Sequence, residues 1–236
     1  MPGGQEKVAI VTGASRGIGR AIAEALIGAG YRVTITGRNE TDLRATADAL
    51  GDAALPIQCD IRDSQACEEM VAQTVAEFGR LDLLVNNAGV AVYKPVAELS
   101  DDEWLSMLET NLNGVFYCTR AAIPHLREVG DSWIINIGSL AGKNTFPKGA
   151  AYNASKFGLV GFTEALMQEV RHDGIRVSSI MPGSVATGFS GRSPDEGADW
   201  KIDPADIGQI VLDLLATPER TLPSRVEVRP TKPPRR

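Results

Sequence analysis

Lys7-Val8-Ala9-Ile10-Val11-Thr12-Gly13-Ala14-Ser15-Arg16-Gly17-Ile18-Gly19 decides the fold: a short, β-branched apolar run enters a loop with three glycines, and a segment of helical period follows at once. Such a run reads as a strand near Lys7 to Thr12, and the period beyond it as a helix near Arg16 to Ala29. A helix that starts on glycines presents bare N–H groups at its positive end, where a pyrophosphate is attracted by charge and by hydrogen bonding. Side chains at Gly13, Gly17 and Gly19 would hold such a ligand away, which is why the spacing matters.

Working outward, the same alternation repeats. Strands are predicted near Tyr31 to Thr36, Leu55 to Cys59, Leu81 to Val85, Trp133 to Ile137, Ile175 to Ile180 and Arg225 to Val228. Helices are predicted near Glu40 to Leu50, Ser64 to Phe78, Asp101 to Arg127, Ala150 to Asp173 and Pro204 to Ala216. Ser100 with Glu103 spells a capping box ahead of the fourth helix. Gly30, Gly79 and Gly174 stand where helices should stop. Repeated βαβ units imply an α/β fold, a doubly wound, seven-stranded, mostly parallel sheet with helices on both faces. Residues 1–236 are expected to form a single domain. The Gly-, Ser- and acid-rich stretch 184–203, with Asp195, Glu196, Asp199, Phe189 and Trp200, is expected to be a lid. The basic, proline-rich end from Arg229 to Arg236 is expected to be a disordered or surface-lying tail.

With 43% hydrophobic and 23% charged residues the chain has an ordinary globular composition, and its net charge of −6 argues against a nucleic-acid partner, whose phosphates call for a basic surface. Cys59, Cys67 and Cys118 are widely spaced and odd in number, which suggests neither a disulfide framework nor a zinc site and fits a reducing cytoplasm. No signal peptide or membrane span is expected, because no apolar run approaches the ~20 residues that a span requires. His125 and His172 lack partners at ligand spacing, so no metal is expected.

The chemistry is suggested by Tyr152-Asn153-Ala154-Ser155-Lys156, which sets a phenol and an ammonium on one face of a helix. A free phenol has a pKa near ~10, and an adjacent cation would lower it toward useful proton exchange. The preceding strand ends in Ile137-Gly138-Ser139, and ligands bind at this end of parallel strands. There a Ser139 hydroxyl could donate to a carbonyl oxygen as it gains charge. Asn86-Asn87-Ala88-Gly89 follows the fourth strand, and Asn111-Leu112-Asn113-Gly114 lies in the middle of the fourth helix. Taken singly, each residue also has a plain structural reading: Asn111 as a satisfied helix polar group, Ser139 as a strand-end cap, Thr187 as a loop hydroxyl.

The Gly-x-x-x-Gly-x-Gly spacing and these motifs, in this order along essentially the whole chain, resemble the short-chain dehydrogenase/reductase family, including its 3-oxoacyl reductases. The resemblance implies a nicotinamide cofactor cradled by Gly13, Ser15, Arg16, Gly17, Ile18 and Gly19. It implies that Asp60, beside Ile61, caps the adenine and that Asn87, Ala88 and Gly89 line the adenosine side. Pro182-Gly183-Ser184-Val185-Ala186-Thr187 would take the carboxamide. Tyr152 would be the proton donor and Lys156 would tune it and bind the ribose; Ser139 would orient the carbonyl. Asn111 would hold a relay water through a local helix distortion. At the end of the second strand an acid would repel a 2′-phosphate, but Thr36-Gly37-Arg38 stands there; Arg38 and Arg16 could clamp that phosphate, so NADPH/NADP is expected over NADH.

The expected substrate is a small or medium-sized carbonyl compound or the corresponding alcohol, held in an open site because the expected lid is short and polar. The ending from Leu222 to Pro230 departs from the Gly-rich close of many ketoacyl reductases. An alcohol or polyol dehydrogenase and a non-catalytic dinucleotide-binding regulator remain as alternatives. The resemblance also implies a homodimer or homotetramer formed through the two long helices.

Overall fold

The protein was analysed as a computed structural model that describes residues 6–191, 193, 195 and 199–234. Glu196 of the expected lid and the last two arginines of the tail lie outside the described residues. Strand β1 (Val8–Val11) is buried along its whole length. Its side chains divide between the two faces of the sheet: Val8 and Ile10 enter one apolar cluster, Ala9 and Val11 the other. A strand covered on both faces must be apolar throughout, which explains the unbroken run in the sequence. Burying one such Ile or Val side chain contributes about 1.5–3 kcal/mol.

The remaining strands are β2 (Arg32–Gly37), β3 (Ala54–Gln58), β4 (Leu83–Asn86), β5 (Ser132–Ile137), β6 (Ile175–Pro182) and β7 (Arg225–Val228). They form one seven-stranded sheet in the order β3-β2-β1-β4-β5-β6-β7, with every neighbouring pair parallel. Helices α1 (Gly17–Gly28), α2 (Glu40–Leu50) and α7 (Pro204–Leu215) cover one face, while α3 (Ser64–Phe78), α5 (Gly114–Val129) and α6 (Ala150–Val170) cover the other. α4 (Asp101–Leu108) precedes α5 and starts on the expected Ser100–Glu103 capping box. After β3 the chain returns to the middle of the sheet, so the strand order reverses between β1 and β4. At such a reversal the loops diverge and leave a crevice outside the carboxyl ends of the strands.

Two departures from the sequence reading are local. The helix expected over 101–127 is broken by a π-helical turn at Glu109–Asn113, where Gly114 N–H bonds back to the Glu109 carbonyl. Helix α6 ends at Val170, and a 3-10 turn (Arg171–Asp173) with left-handed Gly174 completes the descent. The three cysteines, far apart in sequence, lie buried as free thiols, with Cys118 Sγ 3.6 Å from Cys67 Sγ. Among the described residues no helix is long and apolar enough to cross a membrane.

Candidate active site

The crevice is built first from Thr12, which the sequence reading left out of the site. Its hydroxyl oxygen accepts the N–H groups of both Asn87 and Ala88 at 3.0 Å, and Asn87 Nδ2 donates to the carbonyls of Thr12 (2.9 Å) and Gly13 (3.1 Å). The ends of β1 and β4 are thereby joined. Gly13 adopts φ +64° and packs so closely on Ala88 that a Cβ would come within 2.7 Å of the Ala88 Cα. At Gly19 a Cβ would come within 2.5 Å of the Gly13 carbonyl oxygen. Both glycines therefore shape the loop.

Gly17, at φ +58°, faces the other wall: a Cβ there would stand 3.3 Å from Thr187 Cγ2. Thr187 belongs to the segment that leaves β6, where Gly183 N–H bonds the Val228 carbonyl (2.8 Å) and Val185 bridges Ile202. Pro230, at the start of the expected tail, lies against Gly183. Arg16 forms the N-cap of α1 without a side-chain capping bond, so the first-turn N–H groups have no acceptor from that side chain. Ser15 approaches the end of β2, where a Cβ on Gly37 would sit 3.4 Å from its hydroxyl, so the loop carrying Arg16 borders the turn carrying Arg38; both arginines are exposed. A cradle that added methyl groups would fill, at a positive helix end beside two exposed guanidinium groups, fits a dinucleotide.

Asp60 is forked by Arg62, at 2.5 Å to Nη2 and 3.0 Å to Nε; that bond, with smaller help from Arg38, holds its carboxyl below the usual range. Its side chain stays 35% exposed, so the expected adenine cap shares its acceptors with Arg62. Ile61 is buried against Gly114, whose Cβ would meet it at 2.7 Å. Gly89 lies between Asn111 and Lys156, 3.3 and 3.9 Å from their side chains as measured from the position of a Cβ.

At the end of β5, Ser139 accepts the Ala141 N–H (3.1 Å), a strand-end cap, and its side chain stands near enough to the Tyr152 hydroxyl to favour the phenolate. Tyr152 and Lys156, on the first turns of α6, are 7% and 4% exposed. Lys156 Nζ donates to the Ile137 carbonyl (3.0 Å) and stands 5.9 Å from the centre of the Tyr152 ring. Burial lowers Lys156 to about 8, and burial raises Tyr152 well above the ordinary phenol value despite the opposing influence of Ser139. The lowering expected from Lys156 does not set the net direction: the ammonium is turned to a carbonyl, and desolvation outweighs its effect on the phenol.

Asn111, at the π turn, is fully buried. Its Oδ1 accepts Val90 N–H (2.9 Å), and its Nδ2 donates to the Val90 carbonyl (2.9 Å) and the Ser155 hydroxyl (3.0 Å), which donates to the Tyr152 carbonyl (2.8 Å). The distortion expected here is present. The side chain, however, is spent on protein partners, so any water would be held by the main chain, whose ladder the π turn shifts.

Residues 7–197 match the family model described as short chain dehydrogenase. This chain belongs to the short-chain dehydrogenases. The dehydrogenase is 36% identical over 230 residues to an uncharacterized oxidoreductase of Staphylococcus saprophyticus, covering 96% of this chain and 98% of the relative. Among solved structures it is similar to a metagenomic short-chain oxidoreductase in complex with NADP (39% identity, TM-score 0.84, 96% of this chain and 98% of the other). It is also similar to the 3-ketoacyl-(acyl-carrier-protein) reductase from Brucella melitensis complexed with NADH (28% identity, TM-score 0.88, 97% and 99%). The dehydrogenase is accordingly an NAD(P)-dependent oxidoreductase acting on a small molecule.

Proposed function

We propose that this dehydrogenase uses NADPH to reduce a carbonyl group on a small or medium-sized organic molecule, with Tyr152 as proton donor. The observation that carries the reading is the meeting of the Ser139 hydroxyl, the Tyr152 phenol and the Lys156 ammonium at the carboxyl end of β5, beside the glycine cradle. When bound, the reduced nicotinamide supplies a hydride to the carbonyl carbon. Ser139 donates a hydrogen bond to the carbonyl oxygen and orients it. Burial keeps Tyr152 protonated at neutral pH, so it can pass its proton to that oxygen as negative charge builds, giving the alcohol. Lys156, still cationic below about 8, stabilises the phenolate that remains until solvent returns the proton. Asn111 is a positioning residue: through Val90 and Ser155 it fixes the loop after β4 relative to the backbone of Tyr152.

NADPH preference rests on Arg16 and Arg38 bordering one corner of the cradle with no acid at the end of β2. A homodimer or homotetramer fits the exposed aromatic side chains of α5 and α6, Phe116 (41%) and Phe157 (44%). Light scattering showing only a monomer would overturn that assembly. For the chemistry, NADPH oxidation followed against a panel of carbonyl compounds should find substrates. Tyr152→Phe should then retain NADPH binding while turnover falls at least about 100-fold. A variant with near-normal turnover would remove Tyr152 from the mechanism.

A further inference from the structure

We propose that the site takes carbonyl compounds with an aromatic ring beside the carbonyl, recognised by Tyr93, Phe146 and Phe189 around Tyr152. The inference rests on Tyr152 marking where the carbonyl sits. Tyr93 meets the Tyr152 ring edge-on, with centroids 5.8 Å apart, and Phe146 packs on Tyr93 at 5.7 Å. Phe189 lies 6.1 Å from Tyr152. These are separations at which rings attract one another beyond their buried area. The three side chains come from the loops after β4, β5 and β6, so three separate segments bring rings to the neighbourhood of the phenol.

The rings are held in place. Gly149 has no side chain where a Cβ would run into the Phe146 ring, and Asn153 Oδ1 accepts the Phe146 N–H (3.4 Å). Asn153 Nδ2 donates to the carbonyls of Ala141 (2.6 Å) and Asn144 (3.0 Å), so one buried amide ties the loop bearing Ser139 and Phe146 to the helix bearing Tyr152. On the opposite side Thr187 Oγ1 accepts the Phe189 N–H (3.4 Å). Ser190, in a left-handed conformation at φ 60°, donates to the Ala91 carbonyl (3.0 Å), pinning Phe189 over the mouth.

Phe146 and Phe189 nevertheless remain 40% and 38% exposed. An isolated exposed aromatic is ordinary, but ring surface fixed around a buried phenol is a binding surface waiting for a flat apolar face. Beneath it Ala91, Met107, Ala141 and Ala151 pack with Tyr152 into an apolar floor. Lys94 and Lys143, on the same loops, are held in ion pairs with Glu103 and Glu227. A polyol, which needs several convergent polar groups, meets chiefly ring and alkyl surface here.

The test compares acetophenone with cyclohexyl methyl ketone, the same carbonyl beside a ring with and without π electrons. kcat/KM with NADPH is measured for wild type, Phe146→Leu and Phe189→Leu, and ketone binding is followed by saturation-transfer NMR with NADP present. Wild type should prefer acetophenone, and each leucine variant should lose about 3- to 10-fold of that preference, mainly through KM. Equal kcat/KM for the two ketones, or a preference untouched in both variants, would overturn the inference while leaving carbonyl reduction intact. If neither ketone is reduced, the carbonyl reading fails for this class. The aromatic site then stands if NMR shows selective, Phe-dependent binding of acetophenone and falls if it does not.

Discussion

Lys156 gives its hydrogen bond to the Ile137 carbonyl at 3.0 Å, not to the phenol four residues before it. The cation is therefore fixed by a neutral acceptor in a buried place, and desolvation moves its titration down to about 8. Tyr152 moves the other way and stays protonated across the neutral range. Reduction needs the phenol with its proton and the lysine with its charge. Below about 8 both conditions hold; above it the charge is lost. kcat/KM for carbonyl reduction, which reports the free enzyme, should be flat between about pH 6 and 7 and fall as pH rises through about 8. A profile rising through that region would show that Lys156 does not act as a cation.

Replacing Lys156 should separate stability from activity. In the folded protein its value is depressed from 10.5 to about 8, so between those limits the unfolded chain binds more protons and stability climbs with pH. Lys156→Met removes a buried charge satisfied by one carbonyl. Near pH 7 it should raise thermal stability by ~1–3 kcal/mol, against a loss of turnover. The difference in melting temperature between the two proteins should shrink from about pH 8 upward. A variant that melts earlier than wild type at neutral pH would show that the ammonium stabilises the fold.

The corner formed by Ser15, Gly37 and their arginine neighbours makes a prediction about cofactor choice. Arg38→Asp places a carboxylate where a 2′-phosphate would lie and where a ribose hydroxyl could be bound. The kcat/KM ratio of NADPH over NADH should fall by about 10- to 100-fold, the worth of one or two charge-assisted hydrogen bonds. An unchanged ratio would mean that the phosphate is read elsewhere.

The sheet was legible because a strand covered on both faces is restricted in its residues: β1 is apolar throughout, and β4 and β5 are apolar but for Asn86, Ser132 and Asn136, which hydrogen-bond α5 and α6. The cradle and the Tyr152–Lys156 pair were legible because glycine conformations and a helical repeat act over a few residues. Tyr93, Phe146 and Asn153 were not, since their role comes from loops that the strand order brings together. The same holds for Thr12, whose partners lie across the strand reversal. The direction of the Tyr152 shift escaped because burial is a property of the packed state, whereas the spacing to Lys156 showed only a neighbour.

One oxygen atom, the Thr12 hydroxyl, receives two amides from the far side of the strand reversal. The halves of the sheet cannot part there without giving up both bonds in a single motion, so the floor of the crevice acts as a fixed jaw. The opposing jaw is the chain beyond β6, which reaches across the gap through the Ser190 hydroxyl on Ala91 and the Phe189 ring beside Tyr152. Side chains that face a guest thus stand on one jaw and the anchoring of the dinucleotide phosphates on the other, so changes to the first leave the second undisturbed.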